Sequence, residues 1–132
     1  MTIGQRIKKI RLFRGMTQKE LGNILGFGAH GDIRIAQYES GVRTPKEQML
    51  IKMADVFCVQ PAVFSSRVCI SKNDFMQSLF WMEESKGGGD IYDCIREWEN
   101  MKTRYEDGEI SEEEYFQWKL TYNSNPPTGT TV

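Results

Sequence analysis

The spacing of apolar residues along this chain predicts helices. Ile3, Ile7 and Ile10 recur at four- and three-residue intervals, and the basic residues between them fall off that stripe. This pattern is typical of an amphipathic helix with one face in a core. Similar spacing continues through most of the 132 residues. The predicted fold class is therefore all-α.

Polar caps and glycine stops divide the first half of the chain into five predicted helices. Thr17 and Thr44 are each followed three residues later by a glutamate, which completes a capping box. The predicted limits are Thr2 to about Arg14, Thr17 to Gly26, an Asp32 cap to Gly41, a Thr44-Pro45 start to about Phe57, and residues 61–64. The predicted inner faces hold Leu21, Ile24 and Leu25 in the second helix, Ile35 and Tyr38 in the third, and Met49, Leu50, Met53, Ala54 and Phe57 in the fourth.

The second half of the chain predicts further helices. Residues 71–86 form a candidate helix with Phe75, Leu79 and Met82 on one stripe, and Gly87 to Gly89 form a flexible break. A second apolar stripe runs from Ile91 to Tyr105; after an Asp107-Gly108 turn, Ser111 and Glu114 make a capping box, so an antiparallel helical hairpin is expected. We predict a domain over residues 1–66, an acidic helical extension over 67–122 and a disordered tail over 123–132.

Charge is distributed unevenly between these halves. Residues 1–66 carry ten lysines and arginines against five acidic residues, a formal charge of +5, whereas residues 67–132 carry seven against thirteen, a charge of −6. A basic first half suits a phosphate backbone, which would repel the acidic second half. The second half is therefore expected to have a different role.

The segment from Thr17 to Pro45 predicts a DNA reader, since a helix, a connection and a second helix form a helix-turn-helix, whose second helix enters the major groove. Arg34 and Gln37, three residues apart, suit guanine and adenine edges, and Ile33 suits a thymine methyl. Thr17, Gln18 and Lys19 at a helix start, with Ser40 and Arg43 after the reading helix, suit phosphates. Taken singly, each of these is also an ordinary surface residue of a helical bundle.

The chain also resembles the lambda repressor/Cro-type, or XRE, helix-turn-helix domains. The resemblance rests on IGQRIKKIR, GMTQKELG, IAQYESG and the following TP, and it covers about residues 3–64. It implies a five-helix domain that binds an operator in double-stranded DNA as a homodimer and regulates transcription as a repressor of bacterial, phage or mobile-element type. It also implies Gln18 on a phosphate, Gln37 on a base, and an ion pair between Arg11 and Glu39. The alternative for that pair is two independent surface charges.

One departure from the family pattern lies between Gly26 and Tyr38, where this chain is roughly three residues longer. The family's base-contact positions at the start of the reading helix therefore do not transfer directly. Gln37, anchored by the following Tyr38-Glu39-Ser40-Gly41, transfers best. His30 is interpreted as an exposed loop residue.

The acidic extension is interpreted as the element that makes the dimer. Its aromatic residues exceed what two helices bury, so some should face another surface. The predicted contact residues are Ile91, Ile95, Trp98 and Trp118. The alternatives are a passive cap on the bundle, and an antitoxin-like or adaptor-like module that binds a protein partner through the acidic half.

The sequence gives little support for catalysis or for metal or cofactor binding. The sequence has one histidine, no nucleophile with a matching base, no phosphate-binding loop and no metal motif, so we expect no enzyme, cofactor or metal site. The three cysteines (Cys58, Cys69 and Cys94) are expected to be buried, reduced thiols. The sequence shows neither a signal pattern nor an apolar run of membrane length. A cytoplasmic protein, nucleoid-associated when bound to DNA, is expected.

Overall fold

The computed structural model describes residues 1–65, 71–85 and 89–123, and all regular elements in these ranges are helical. The all-α prediction is confirmed. The chain divides into two compact units, Met1–Ser66 and Arg67–Val132. The helices are α1 (Ile3–Phe13), α2 (Gln18–Ile24), α3 (Gly31–Ser40), α4 (Glu47–Phe57), α5 (Lys72–Glu84), α6 (Gly89–Glu106) and α7 (Glu112–Thr121), with 3₁₀ turns at Gly28–His30 and Pro61–Phe64.

The core of the first unit is built from the inner faces of α1 to α4. Helix α3 packs against both α1 and α2, so it is held from two sides. The most deeply buried side chains are those of Ile7, Ile10, Leu21, Ile35, Met53 and Phe57. The predicted caps at Thr2 and Thr17 are confirmed, since each side chain accepts a hydrogen bond from the third residue of its helix. Gly41 ends α3 with a positive φ of 83°, as a glycine stop requires.

Two predicted helix starts are wrong. Helix α3 begins at Gly31, because the Gly28–His30 turn leads directly into it and leaves Asp32 inside the first turn rather than at the cap. Helix α4 begins at Glu47, two residues later than a Thr44 cap requires. Pro45 is buried before the helix and Lys46 keeps an extended backbone, so helical geometry starts only after both.

One further expectation for this unit is corrected, and the short fifth helix is confirmed as a 3₁₀ helix. Ile24 is 54% exposed rather than part of the inner face of α2, because Leu21 and Leu25, four residues apart, occupy the buried stripe. The predicted fifth helix is the short 3₁₀ turn Pro61–Phe64, which buries Phe64 against Phe57 with ring centroids 6.4 Å apart.

Two glycines bring α2 and the start of α3 into backbone contact. A Cβ added to Gly22 would lie 2.5 Å from the Cα of Gly31, and one added to Gly31 would lie 2.7 Å from the Cα of Gly22. Real Cβ atoms do not approach so closely. The longer connection after Gly26 therefore fits only because both positions lack a side chain.

Basic side chains of the first unit donate hydrogen bonds to backbone carbonyl oxygens at the ends of its helices. Arg6 donates to the carbonyl oxygens of Val63 and Ser65, and Arg14 Nε donates to that of Phe57 at 2.8 Å. Lys52 Nζ donates to the carbonyl oxygen of Leu25 at 3.2 Å. Part of the positive charge in this unit is thus held by structural contacts.

In the second unit, α5 contacts α6 and α6 contacts α7. Ser111 caps α7 with the predicted box. Tyr115 is buried, its hydroxyl accepts a hydrogen bond from Trp98 Nε1 at 2.8 Å, and its ring stacks with Tyr105 and Trp118. The aromatic residues therefore form a large part of the contact between α6 and α7.

Several expectations for the second half change. Phe75 and Met82 on the predicted α5 stripe are 47% and 50% exposed, although α5 packs against α6. Gly89 starts α6 instead of belonging to a break, and Gly87 and Gly88 lie outside the described residues. The predicted disordered tail also lies outside them, apart from Asn123.

The cysteine prediction is only partly met. Cys58 is exposed instead of buried, since it forms the C-terminal cap of α4 with a positive φ of 54°. Cys94 is half-buried, and Cys69 lies outside the described residues.

Replacing Gly31 by alanine is expected to lower the free energy of unfolding by about 1–3 kcal/mol, because the new Cβ meets the Gly22 backbone. At an unobstructed helical position the same change stabilises by up to about 1 kcal/mol. Urea unfolding of the full chain measures the sign. The matched control is Asn23→Ala, at the exposed neighbour of Gly22. A Gly31→Ala protein as stable as the wild type would contradict the close approach.

Candidate nucleic-acid interface

The exposed side of α3 lines a cleft of about 310 Å³. Ile33, Arg34 and Gln37 contribute from α3, Phe27 and His30 from the connection before it, and Arg43 from the loop after it. A second cleft of about 440 Å³ shares Phe27, Arg34 and Arg43 and adds Tyr38, Thr44, Lys46 and Met49. Among the described residues 1–65, none that lines either cleft is acidic. The three cations Arg34, Arg43 and Lys46 therefore give this surface a positive potential.

Arg34 is held by an aromatic contact. Its guanidinium carbon lies 5.1 Å from the centroid of the Phe27 ring, and that ring in turn packs at a tilt against Tyr38, with centroids 6.1 Å apart. Within residues 1–65, the Arg34 guanidinium and the Gln37 side-chain amide make no hydrogen bond. The donors of both side chains remain available to a ligand.

The end of α3 places Arg43 next to Gln37. The backbone carbonyl oxygen of Gln37 accepts hydrogen bonds from Ser40 Oγ and from the backbone N–H of Arg43, each at 3.2 Å. The hydroxyl hydrogen of Ser40 is therefore used within the helix end. Since a phosphate oxygen is an acceptor, Ser40 would have to give up this bond to donate to one.

The three residues predicted at the start of α2 lie outside both clefts. Thr17 caps α2 and exchanges hydrogen bonds with Glu20. Gln18 Nε2 donates to Glu39 Oε2 at 2.8 Å, and Lys19 is exposed. Gln18 is thus linked to α3 through Glu39.

Arg11 and Glu39 form the ion pair that the family resemblance implied. Arg11 Nε lies 2.5 Å from Glu39 Oε1, and Nη2 donates to Oε2 at 3.3 Å. The side chains are only 8% and 5% exposed, and Arg11 also donates to the carbonyl oxygen of Met16. With Gln18 as a third donor group, Glu39 has partners on both carboxylate oxygens, which suits a structural role.

Residues 7–64 match the family model described as helix-turn-helix. The first unit of this chain is a helix-turn-helix domain of the lambda repressor/XRE type. Domains of this family are DNA-binding and serve in transcription regulation. Comparisons with curated proteins and with solved structures found no match. In the described part of the chain, no helix is long and apolar enough to cross a membrane.

The clefts of the helix-turn-helix domain include residues that sequence reasoning missed. Phe27, Lys46 and Thr44 line them, although none was predicted as a site residue. His30 is exposed, as expected, but it also lines the first cleft. The available signal was Phe27, a large aromatic residue in a connection otherwise made of small and polar residues.

Replacing Glu39 by glutamine is expected to lower the free energy of unfolding by about 3 kcal/mol, because Arg11 then keeps a buried charge without its partner. Chemical unfolding of the full chain measures this loss. The matched control is Asp93→Asn, which breaks the exposed Arg96–Asp93 pair and should cost less than about 1 kcal/mol. Equal losses for the two variants would show that burial adds nothing to the Arg11–Glu39 pair.

Proposed function

We propose that this protein is a sequence-specific, double-stranded-DNA-binding regulator of transcription, of bacterial, phage or mobile-element type. The observation that carries the proposal is the lining of the two clefts along α3, which includes no acidic residue among residues 1–65 and in which Arg34 and Gln37 present donors beside Arg43. Repression is the simplest outcome, because a protein bound over a promoter excludes other proteins from it. The proposal places the protein in the cytoplasm, at the nucleoid when bound, and gives it no enzymatic activity and no cofactor.

The proposed base contacts come from α3. The fork of Arg34 matches the O6 and N7 atoms of guanine, the amide of Gln37 matches N6 and N7 of adenine, and Ile33, 53% exposed, suits a thymine methyl. These three side chains lie in one cleft, which supports a common role.

The proposed phosphate contacts come from both ends of the motif. Arg43 and Lys19 supply charge, and Thr17 and Gln18 supply side-chain donors at the start of α2. Gln18 uses one amide hydrogen on Glu39 and keeps the second for a phosphate. Ser40 is the weakest member of the predicted set, because its hydroxyl already donates to Gln37.

We propose that the protein binds DNA as a homodimer through its second unit. One helix-turn-helix contacts one half-site, and joining two copies raises the affinity through effective concentration. In the second unit, Phe75, Phe80, Trp81 and Trp98 are 47%, 49%, 70% and 51% exposed, an apolar load that a second copy would cover.

Of the four contact residues predicted from sequence, Trp98 remains the most available. Ile91 and Ile95 line a groove of about 140 Å³ together with α5 residues, and Trp118 stacks with Tyr115 and meets Tyr122 in a T-shaped contact. The proposed dimer contact therefore extends to α5, which sequence reasoning left out. Binding of a different protein by this surface is the competing outcome.

Gln37→Ala is expected to relax base preference at one operator position by about 1–3 kcal/mol, because it removes a bidentate contact. Arg43→Ala should weaken binding to all sequences alike and lower the salt slope by roughly one, because it removes a phosphate charge. An operator selected from random duplexes, followed by titration of its variants, measures both effects.

The matched control for this pair is Gln48→Ala, on the exposed side of α4 and outside both clefts. It should change neither base preference nor salt slope. If Gln37→Ala preserves the ranking of operator variants, α3 does not recognise bases through this face. If the wild-type protein selects no sequence, the proposed function is wrong.

Trp81→Glu is expected to convert a dimer into a monomer, because it places a charge in the proposed apolar contact, and to weaken operator binding by about 100-fold or more. Sedimentation of the full chain measures the mass against the 15.3 kDa protomer. The control Gln77→Glu adds the same charge at an exposed polar position of α5. A wild-type protein that sediments as a monomer would point instead to a different partner.

A further inference from the structure

The ring of Phe27 lies between a core residue and a base-reading candidate. Arg34 and Tyr38 are four residues apart on α3, so their side chains project from the same face of the helix. The Phe27 ring contacts both: it packs at a tilt of 58° against Tyr38, which is 5% exposed, and it carries the Arg34 guanidinium 5.1 Å from its centroid. Tyr38 therefore supports Phe27 from the core, and Phe27 supports Arg34 at the surface.

The backbone around Phe27 fixes the position of this ring. The Phe27 N–H donates to the carbonyl oxygen of Gly22 at 2.9 Å, and the 3₁₀ turn Gly28–His30 follows immediately. The same Gly22 makes the close backbone contact with Gly31 at the start of α3. The connection therefore holds the Phe27 ring and the first turn of α3 through the same point on α2.

The contact with Phe27 leaves the N–H donors of the Arg34 guanidinium available for a base. The N–H donors of a guanidinium lie in its plane around the edge, so attraction of the cation to a ring face does not consume them. Arg34 has no hydrogen-bond acceptor within residues 1–65, so those donors are not engaged. Such a side chain loses less rotational freedom on forming a bidentate contact than an arginine that moves freely in water.

We propose that Phe27 is a positioning residue that sets the guanine preference of this domain by holding Arg34 over its ring in the DNA-free protein. The proposal rests on the proposed function, since it assigns the role of one residue within the same DNA-reading surface. It adds a residue outside α3 to the set that determines base specificity. It also gives a role to the longer connection, which would otherwise be only a spacer.

The contact between the Phe27 ring and the Arg34 guanidinium can be tested without DNA. In the free full-length protein, the ring current of Phe27 should shift the NMR signals of the Arg34 side chain upfield. Phe27→Leu keeps an apolar side chain and removes the ring, so it should abolish the shift. Phe27→Tyr keeps the ring and should preserve the shift. Thermal unfolding of each variant checks that the domain stays folded.

The role of the Phe27–Arg34 contact in base recognition is tested on operator variants that differ at the base pair contacted by Arg34. Phe27→Leu should lower the preference for guanine there about twofold to fivefold, the effect of one exposed cation–π contact. Other positions and the salt slope should not change, and Phe27→Tyr should restore the preference. In an Arg34→Ala background, Phe27→Leu should have no further effect at this position.

Two results would overturn the proposal while the proposed function stands. One is full guanine preference in a folded Phe27→Leu protein. The other is an equal loss at every operator position, which would mark Phe27 as a purely structural residue. A wild-type protein that shows the ring-current shift but selects no DNA sequence would instead refute the proposed function, and the reading role of Phe27 with it.

Discussion

The proposed DNA-reading surface depends on direct backbone contact between Gly22 in α2 and Gly31 at the start of α3. Helices usually pack through side chains, which keep their axes 8–10 Å apart. Here a single added methyl group on either glycine would overlap the other backbone. This contact lets a connection of unusual length return to the core early enough for Ile35 and Tyr38 to be buried. The contact thereby contributes to the orientation of α3.

Buried and exposed polar groups have separate tasks on the two sides of α3. On the inner side, Glu39 receives Arg11 and Gln18 and joins three elements through a nearly dry ion pair. On the outer side, the side-chain donors of Arg34 and Gln37 make no hydrogen bond within residues 1–65. A satisfied network positions the helix, whereas unsatisfied donors at the surface remain available for recognition. Residues on the two sides of one helix thus serve stability and, in the proposed function, binding.

Much of the first unit could be predicted from local signals. Capping boxes at Thr2 and Thr17 and the stop at Gly41 depend on backbone hydrogen bonds within a few residues, so the sequence alone specifies them. The starts of α3 and α4 depend on tertiary contacts, the glycine contact in one case and the burial of Pro45 in the other. Helix-capping preferences therefore predicted the wrong first residue for both α3 and α4.

The distinction between local signals and tertiary contacts also applies to the candidate site. The proposed roles of Arg34 and Gln37 follow from spacing on one helix, which the sequence displays directly. The contact of Phe27 with Arg34 joins residues across the extended connection, and the sequence marks Phe27 only as an isolated aromatic residue without indicating its partner. In the second unit, apolar spacing identified the helices, but it could not show which stripes remain uncovered. Phe75 and Met82 have the same spacing as buried residues and are half exposed.

The opposite charges of the two halves also affect how the protein approaches DNA. From a distance, DNA meets an almost neutral molecule, because +5 and −6 nearly cancel. Beyond a Debye length, about 8 Å at physiological salt, there is little net attraction to accelerate collision. Only close to the duplex does the positive field of the first half dominate. The charge distribution therefore acts on the orientation of the encounter more than on its frequency, and it limits the time the protein spends on DNA that it approaches with the acidic half.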